Sequence, residues 1–318
     1  MSGVFLDTAS VSLGELDFGP LERAFGPWLH YPHTAVEDLN QRIAQAEVVV
    51  TNKVKIDAHA MDSSRKLKLI CVAATGYNNV DITAATQRGI SVCNVRAYAT
   101  ASVVQHVFMV ILALIGRLSE YQQLVKSGGW ARSAHFCPLD YPFHELAGKN
   151  LGILGYGELG HGVAHVARAF DMKVLVGAHK HRAPGNGRVA FEDVLQRADV
   201  ISLHCPLTPE TQNMIGAQEL AMMRNHALLI NTARGGIVDE HALLSALREG
   251  RIGGAAVDVL TEEPPVLGNC LLDAQLPNLI VTPHIAWASL ESRQRLINEV
   301  AANIKAYREG AIRNRVHA

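Results

Sequence analysis
Short runs of β-branched and apolar residues alternate with stretches of helical periodicity along nearly the whole chain. The runs fall at residues 4–6, 48–51, 69–73, 91–94, 151–154, 173–176, 200–204, 227–231, 254–257 and 279–282. They lack an alternating polar face, which is the pattern of parallel strands covered by helices on both sides, so the class is α/β. The first four precede a long helical stretch over 100–126, and the others follow an irregular segment, 127–148, rich in Gly, Pro and aromatic residues. That division predicts two sheets. Residues 290–309 read as a final helix, with Leu296, Ile297, Val300, Ile304 and Tyr307 at helical spacing, placed to pack back on the first sheet. The longest apolar run, 107–115, falls well short of the roughly 20 residues that span a bilayer, and it reads as a buried helix.

A length of 318 residues suits two domains of roughly 100 to 200 residues each. The expected division is a first domain of residues 1–98 completed by 288–318, and a second of residues 99–287. Lys plus Arg (29) nearly balances Asp plus Glu (30), which leaves no domain-wide positive charge for phosphates and argues against nucleic acid as a partner. Cys71, Cys93, Cys137, Cys205 and Cys270 are scattered without a C-x-x-C pair, and the odd count argues against a disulfide framework. The opening MSGVFLDTAS has neither the basic nor the apolar region of a signal peptide. A reducing, cytoplasmic setting away from membranes is expected. The 15 histidines are the one unusual feature of the composition.

Chemistry first appears where the fifth apolar run enters Gly155-Tyr-Gly157-Glu158-Leu159-Gly160, a G-x-G-x-x-G turn followed by helical periodicity and a further strand. In that βαβ context Gly155 permits the tight turn, Gly157 lets the backbone approach a pyrophosphate, and Gly160 lets helix and strand pack closely. The helix start, with Glu158 and Leu159, offers unpaired N–H groups to the anion. A site built for NAD(H) places a carboxylate about 20 residues on, to bind the ribose hydroxyls. Here the strand ends instead in Gly177-Ala178-His179-Lys180-His181-Arg182. A basic cluster suits a 2′-phosphate, so NADP(H) is the expected cofactor, with NAD(H) possible.

The glycine turn is followed in order by Asn231-Thr-Ala-Arg-Gly-Gly-Ile-Val-Asp239, Val257-Asp-Val-Leu-Thr-Glu-Glu263-Pro264 and Thr282-Pro-His284-Ile-Ala. With these four ordered motifs the chain resembles the D-isomer-specific 2-hydroxyacid dehydrogenases over nearly its whole length. The resemblance implies two doubly wound parallel-sheet domains, a Rossmann dinucleotide domain and a smaller flavodoxin-like substrate domain. It also implies a catalytic set of Arg234, Glu263 and His284, which the chemistry supports. A 2-keto acid presents a carboxylate beside a carbonyl; the planar fork of an arginine suits the first, and a histidine can exchange a proton with the C2 oxygen. Glu263, paired with the other ring nitrogen, would orient the imidazole and favour its charged form.

Further roles follow from the same resemblance. Thr75 and Gly76, in Ala73-Ala-Thr-Gly-Tyr-Asn-Asn-Val-Asp81, match the loop whose N–H groups hold the substrate carboxylate, with Arg234 and His284 completing the substrate site. Cys205 and Pro206 open a loop similar to H-x-P-L-T beside the adenosine, with Thr211 nearby. Thr232 and Ala233 match the nicotinamide-ribose side, and Asp258 the carboxamide. Thr100 begins a stretch similar to T-x-x-V-A-E-H in which Gln105 replaces the usual Glu. The remaining histidines, among them His59, His106, His135, His144, His161, His165, His204, His226 and His241, read as core or surface residues without metal-ligand spacing.

The stretches 139–149 and 284–289 look most like the glycerate dehydrogenase, or hydroxypyruvate reductase, branch of the family. The implied partners are a small 2-keto or 2-hydroxy acid and, through the apolar 100–126 stretch and the arm that follows, a second copy of the chain. A D-lactate-type dehydrogenase is a neighbouring reading, and a dinucleotide-sensing corepressor or scaffold without turnover is the reading from another class.

Overall fold
The computed structural model describes residues 2–311 and 313–317. The chain separates into two compact units, Met1–Ala99 with Trp287–Ala318, and Thr100–Ala286. Each is built on a parallel sheet.

In the first unit the strands are β1 (Gly3–Phe5), β2 (Trp28–His30), β3 (Val48–Thr51), β4 (Leu69–Val72) and β5 (Ser91–Cys93), in the order β2-β1-β3-β4-β5. Their apolar runs are continuous because both faces are covered. Phe5, Val48, Val50, Leu69 and Cys71 pack against Leu296, Ile297, Val300 and Ile304 of the C-terminal helix Leu290–Arg308. The alternate residues Val4, Leu6, Val49, Ile70 and Val72 pack with Leu39, Ile43, Ala60, Met61 and Ala84. The two-residue alternation of strand side chains thus feeds two cores from one sheet.

One strand is a correction to the sequence reading, which placed four strands here. β2 was missed because it is a three-residue edge strand with one partly buried and two exposed residues, so it carries no apolar run. The stretch over 100–126 also differs from the single helix expected. It forms helices Thr100–Ile115 and Leu118–Lys126, bent by 59°. The break falls at Gly116-Arg117, where Arg117 adopts a left-handed φ of 53°. Neither helix is long and apolar enough to cross a membrane.

The second unit contains β6 (Asn150–Leu154), β7 (Lys173–Val176), β8 (Val200–Leu203), β9 (Leu228–Asn231), β10 (Gly254–Val257) and β11 (Leu279–Val281), in the order β11-β10-β9-β8-β6-β7. Beyond β7 a single parallel bridge, Gly177 to Val189, stands where a doubly wound dinucleotide sheet has a further strand. Hydrogen bonds from Ala178 N to Val189 O (2.7 Å) and from Val189 N to Val176 O (2.8 Å) hold it. With that bridge the strand order is the Rossmann order, and the chain reverses direction across the sheet beside β6. Ligands of such sheets bind at that reversal, outside the carboxyl ends of the strands.

Candidate active site
The carboxyl ends of the second unit's strands carry most of the residues singled out above. β6 runs into Gly155, whose φ of 99° is left-handed and whose missing side chain leaves room for the backbone of His204 and Cys205. A Cβ on Gly160 would likewise overlap the Gly155 carbonyl. Gly157 is different, because a Cβ there would meet nothing within 4 Å. The protein's own packing therefore sets no requirement for a glycine at 157.

Gly157 is the N-cap of helix Glu158–Ala169 and provides no side-chain cap for the first-turn N–H groups. The Thr100 hydroxyl donates to the Glu158 carboxylate on that turn, and Leu159 follows on the same turn. After β8 the loop from Cys205 to Thr211 is closed by Thr211 Oγ1, which donates to Pro206 O and accepts from Thr208 N, both at 2.7 Å. After β9, Thr232 Oγ1 is buried without a hydrogen-bond partner, beside Ala233, which is also buried. A buried hydroxyl normally finds a partner. A glycine turn with open space, an uncapped helix start and an orphaned hydroxyl on the next motif fit a nicotinamide dinucleotide laid across these strand ends.

The basic segment after β7 holds one surprise. His179, His181 and Arg182 are exposed as a phosphate contact requires. Lys180, however, pairs with Glu219 at 2.8 Å and donates to Met214 O at 3.2 Å, so its ammonium is already engaged within the protein. The sequence reading gave Lys180 to the cofactor phosphate; Glu219 lies on a helix 39 residues onward, a partner that local pattern cannot reveal.

The motifs that carry the expected catalytic residues are linked by close contacts. Gly235 has no side chain because the Leu260 carbonyl occupies that space, which presses the loop after β9 against the loop after β10. Leu260 N donates to Glu263 Oε1 at 2.8 Å, and Glu263 Oε2 lies 2.6 Å from His284 Nδ1. Because a carboxylate only accepts, Nδ1 is the protonated nitrogen of that bond. Arg234 is exposed, its Nη1 donates to Ala233 O at 2.7 Å, and among the described residues no carboxylate pairs with it. A guanidinium with spare donors and no acid partner suits an incoming carboxylate.

Asp258 does more than the sequence suggested. It is buried, and its carboxylate accepts from Thr282 Oγ1 (2.5 Å), Ile285 N and Ala286 N (both 2.9 Å), so it organises the loop that carries His284. His106, read as an ordinary core histidine, lies with Nε2 3.2 Å from Thr282 Oγ1 and 3.7 Å from Asp258. Burial pushes its imidazole down, partly offset by Asp258. Its place in the stretch beginning at Thr100 was the only sequence signal available. In the first unit, Thr75 and Gly76 follow β4, and Asn94 Nδ2 donates to Thr75 O at 2.7 Å, fixing that loop.

Comparison with known proteins bears on the same residues. Residues 108–286 match the model of the D-isomer specific 2-hydroxyacid dehydrogenase, NAD binding domain. The chain is 46% identical to a glycerate dehydrogenase of Methylorubrum extorquens over 317 residues, covering 99% of this chain and 98% of the relative. It is 37% identical to a hydroxypyruvate reductase of Blautia hydrogenotrophica, covering 98% of each. Among solved structures, an acyclic imino acid reductase in complex with NADPH and D-Arg superimposes with a TM-score of 0.83 at 27% identity, covering 99% of this chain and all of that one.

Proposed function
Because the chain belongs to the D-isomer-specific 2-hydroxyacid dehydrogenases, oxidoreductases that use a nicotinamide dinucleotide, we propose that it reduces hydroxypyruvate or glyoxylate to the corresponding 2-hydroxy acid. The observation that carries the reading is the Arg234, Glu263 and His284 set, in which a guanidinium with no carboxylate partner among the described residues and a carboxylate-oriented imidazole follow neighbouring strands of one sheet. The names of the two relatives support the substrate class.

In the reaction Arg234 binds the substrate carboxylate through paired N–H donors and so aligns C2. The N–H groups of Thr75 and Gly76, on the loop after β4, are proposed as further substrate contacts. A bound nicotinamide dinucleotide supplies the hydride. His284 donates the Nε2 proton to the C2 oxygen as charge develops there, and takes a proton from the hydroxyl in the reverse direction. Glu263 holds the ring and offsets its positive charge while the proton is present. The helix start at Gly157–Gly160 would hold the pyrophosphate, Thr211 and the Cys205-Pro206 loop the adenosine, and Thr232, Ala233 and Asp258 the nicotinamide side.

The preference for NADP(H) rests on the missing carboxylate after β7 and on exposed His179, His181 and Arg182, with NAD(H) as the weaker cofactor. Initial rates with NADPH and NADH against hydroxypyruvate, glyoxylate, pyruvate and 2-ketogluconate test cofactor and substrate together. A kcat/KM at least about tenfold higher with NADH, a difference of ~1.4 kcal/mol, would overturn the preference. A homodimer in the cytoplasm completes the proposal. Eight of the exposed large apolar residues, from Met109 to Phe143, fall within 109–143, a segment suited to meeting a second copy. The five free cysteines suit a reducing compartment.

A further inference from the structure
His284 has a left-handed backbone, with φ of 54°. A residue other than glycine holds that sparsely populated conformation only where its surroundings over-determine it. Here the constraint comes from Asp258. Its carbonyl accepts from His284 N at 2.8 Å, and its carboxylate binds the N–H groups of the two residues that follow. The third contact of that carboxylate is the Thr282 hydroxyl.

The direction of the remaining hydrogen bond follows from counting protons. Thr282 Oγ1 has one proton and gives it to Asp258, so toward His106 it can only accept. His106 therefore donates from Nε2, and the chain of donation runs from His106 through Thr282 to Asp258. Ser102, one turn earlier on the same face of helix Thr100–Ile115, donates to Ala286 O at 2.7 Å. The helix thus grips the loop on either side of His284.

We propose that His106 is a positioning residue which, through Thr282 and Asp258, fixes the backbone of His284 and so aims its ring between Glu263 and the substrate. The inference rests on the assignment of His284 as proton donor. His106 does not touch substrate; it sets the angle from which the proton is delivered.

The variants that test this are T282V and H106F, which break the chain, and T282S and H106Q, which restore a hydroxyl and an N–H donor. The first readout needs no turnover. The proton shared by His284 Nδ1 and Glu263 should give a low-field imidazole N–H resonance, identified by its absence from H284A. That resonance should be lost or broadened in T282V and H106F and regained in T282S and H106Q. The second readout is the split between kcat and KM in keto-acid reduction. We expect kcat to fall by about tenfold to a hundredfold in the breaking variants, with KM within about threefold, because a small misplacement remote from the chemistry acts on the reacting geometry. An unchanged resonance in T282V, or a T282S as impaired as T282V, overturns the proposal. If the wild-type protein reduces no 2-keto acid, the functional reading fails and the resonance alone decides this inference.

Discussion
At the scale of the residue, the account turns on groups whose chemistry is defined by one or two contacts. Arg234 has no acid partner among the described residues, so removing it should cost substrate binding and alignment with little effect on stability. Arg234→Ala is expected to lower kcat/KM for hydroxypyruvate by about a hundredfold or more while its thermal midpoint stays near that of the wild type. The proposed catalytic residues Arg234, Glu263 and His284 were visible as candidates because each follows an apolar run inside an ordered motif, and Glu263 is found beside His284. His106, Thr282 and the Lys180 to Glu219 pair were not, because their roles are set by partners 176 residues away in the first case and 39 in the second. Sequence shows which side chains could act as donors or acceptors, but not which partner uses up each group.

At the scale of the element, the parallel strands were legible because burial on both faces leaves an unbroken apolar run. The features that escaped were those with little burial: edge strand β2, the single bridge at Val189 and the left-handed break at Arg117. The glycine turn between β6 and its helix permits a sharp comparison. Gly155→Ala would force a side chain into the His204 backbone and should unfold the protein at markedly lower temperature. Gly157→Ala meets open space, so it should melt like the wild type and yet bind NADPH at least about tenfold more weakly by fluorescence titration.

The residue that abuts this turn makes stability depend on pH. Burial lowers the His204 imidazole from its ordinary 6.5 to about 4. The unfolded chain therefore takes up this proton near pH 6.5 and the folded chain only near pH 4, so the stabilisation is complete above about 6.5 and is lost as pH falls toward 4. At ~1.4 kcal/mol per pH unit, the loss across that window is of order 3 kcal/mol. Denaturant titrations at pH 7 and pH 5 should show the wild type losing stability, and His204→Gln losing less.

At the scale of the whole molecule, the division of labour is simple: the second unit carries the proposed acid, its orienting carboxylate, the arginine and the dinucleotide-binding strand ends on one sheet. The exposed apolar residues within 109–143 predict a mass near twice 34.4 kDa by light scattering, and a Phe136→Asp, Phe143→Asp double variant should shift it toward the monomer. The α/β class could be read from the alternation of apolar runs with helical stretches, and the reaction type from the family resemblance carried by the four ordered motifs, which follow β6, β9, β10 and β11. The central claim is hydride transfer to C2 of a 2-keto acid with His284 as the proton donor. Its most direct test is the initial rate of hydroxypyruvate-dependent NADPH oxidation by the wild type and by His284→Ala. The account predicts steady turnover by the first and a loss of at least about a hundredfold in kcat by the second. Equal rates for the two proteins would contradict it.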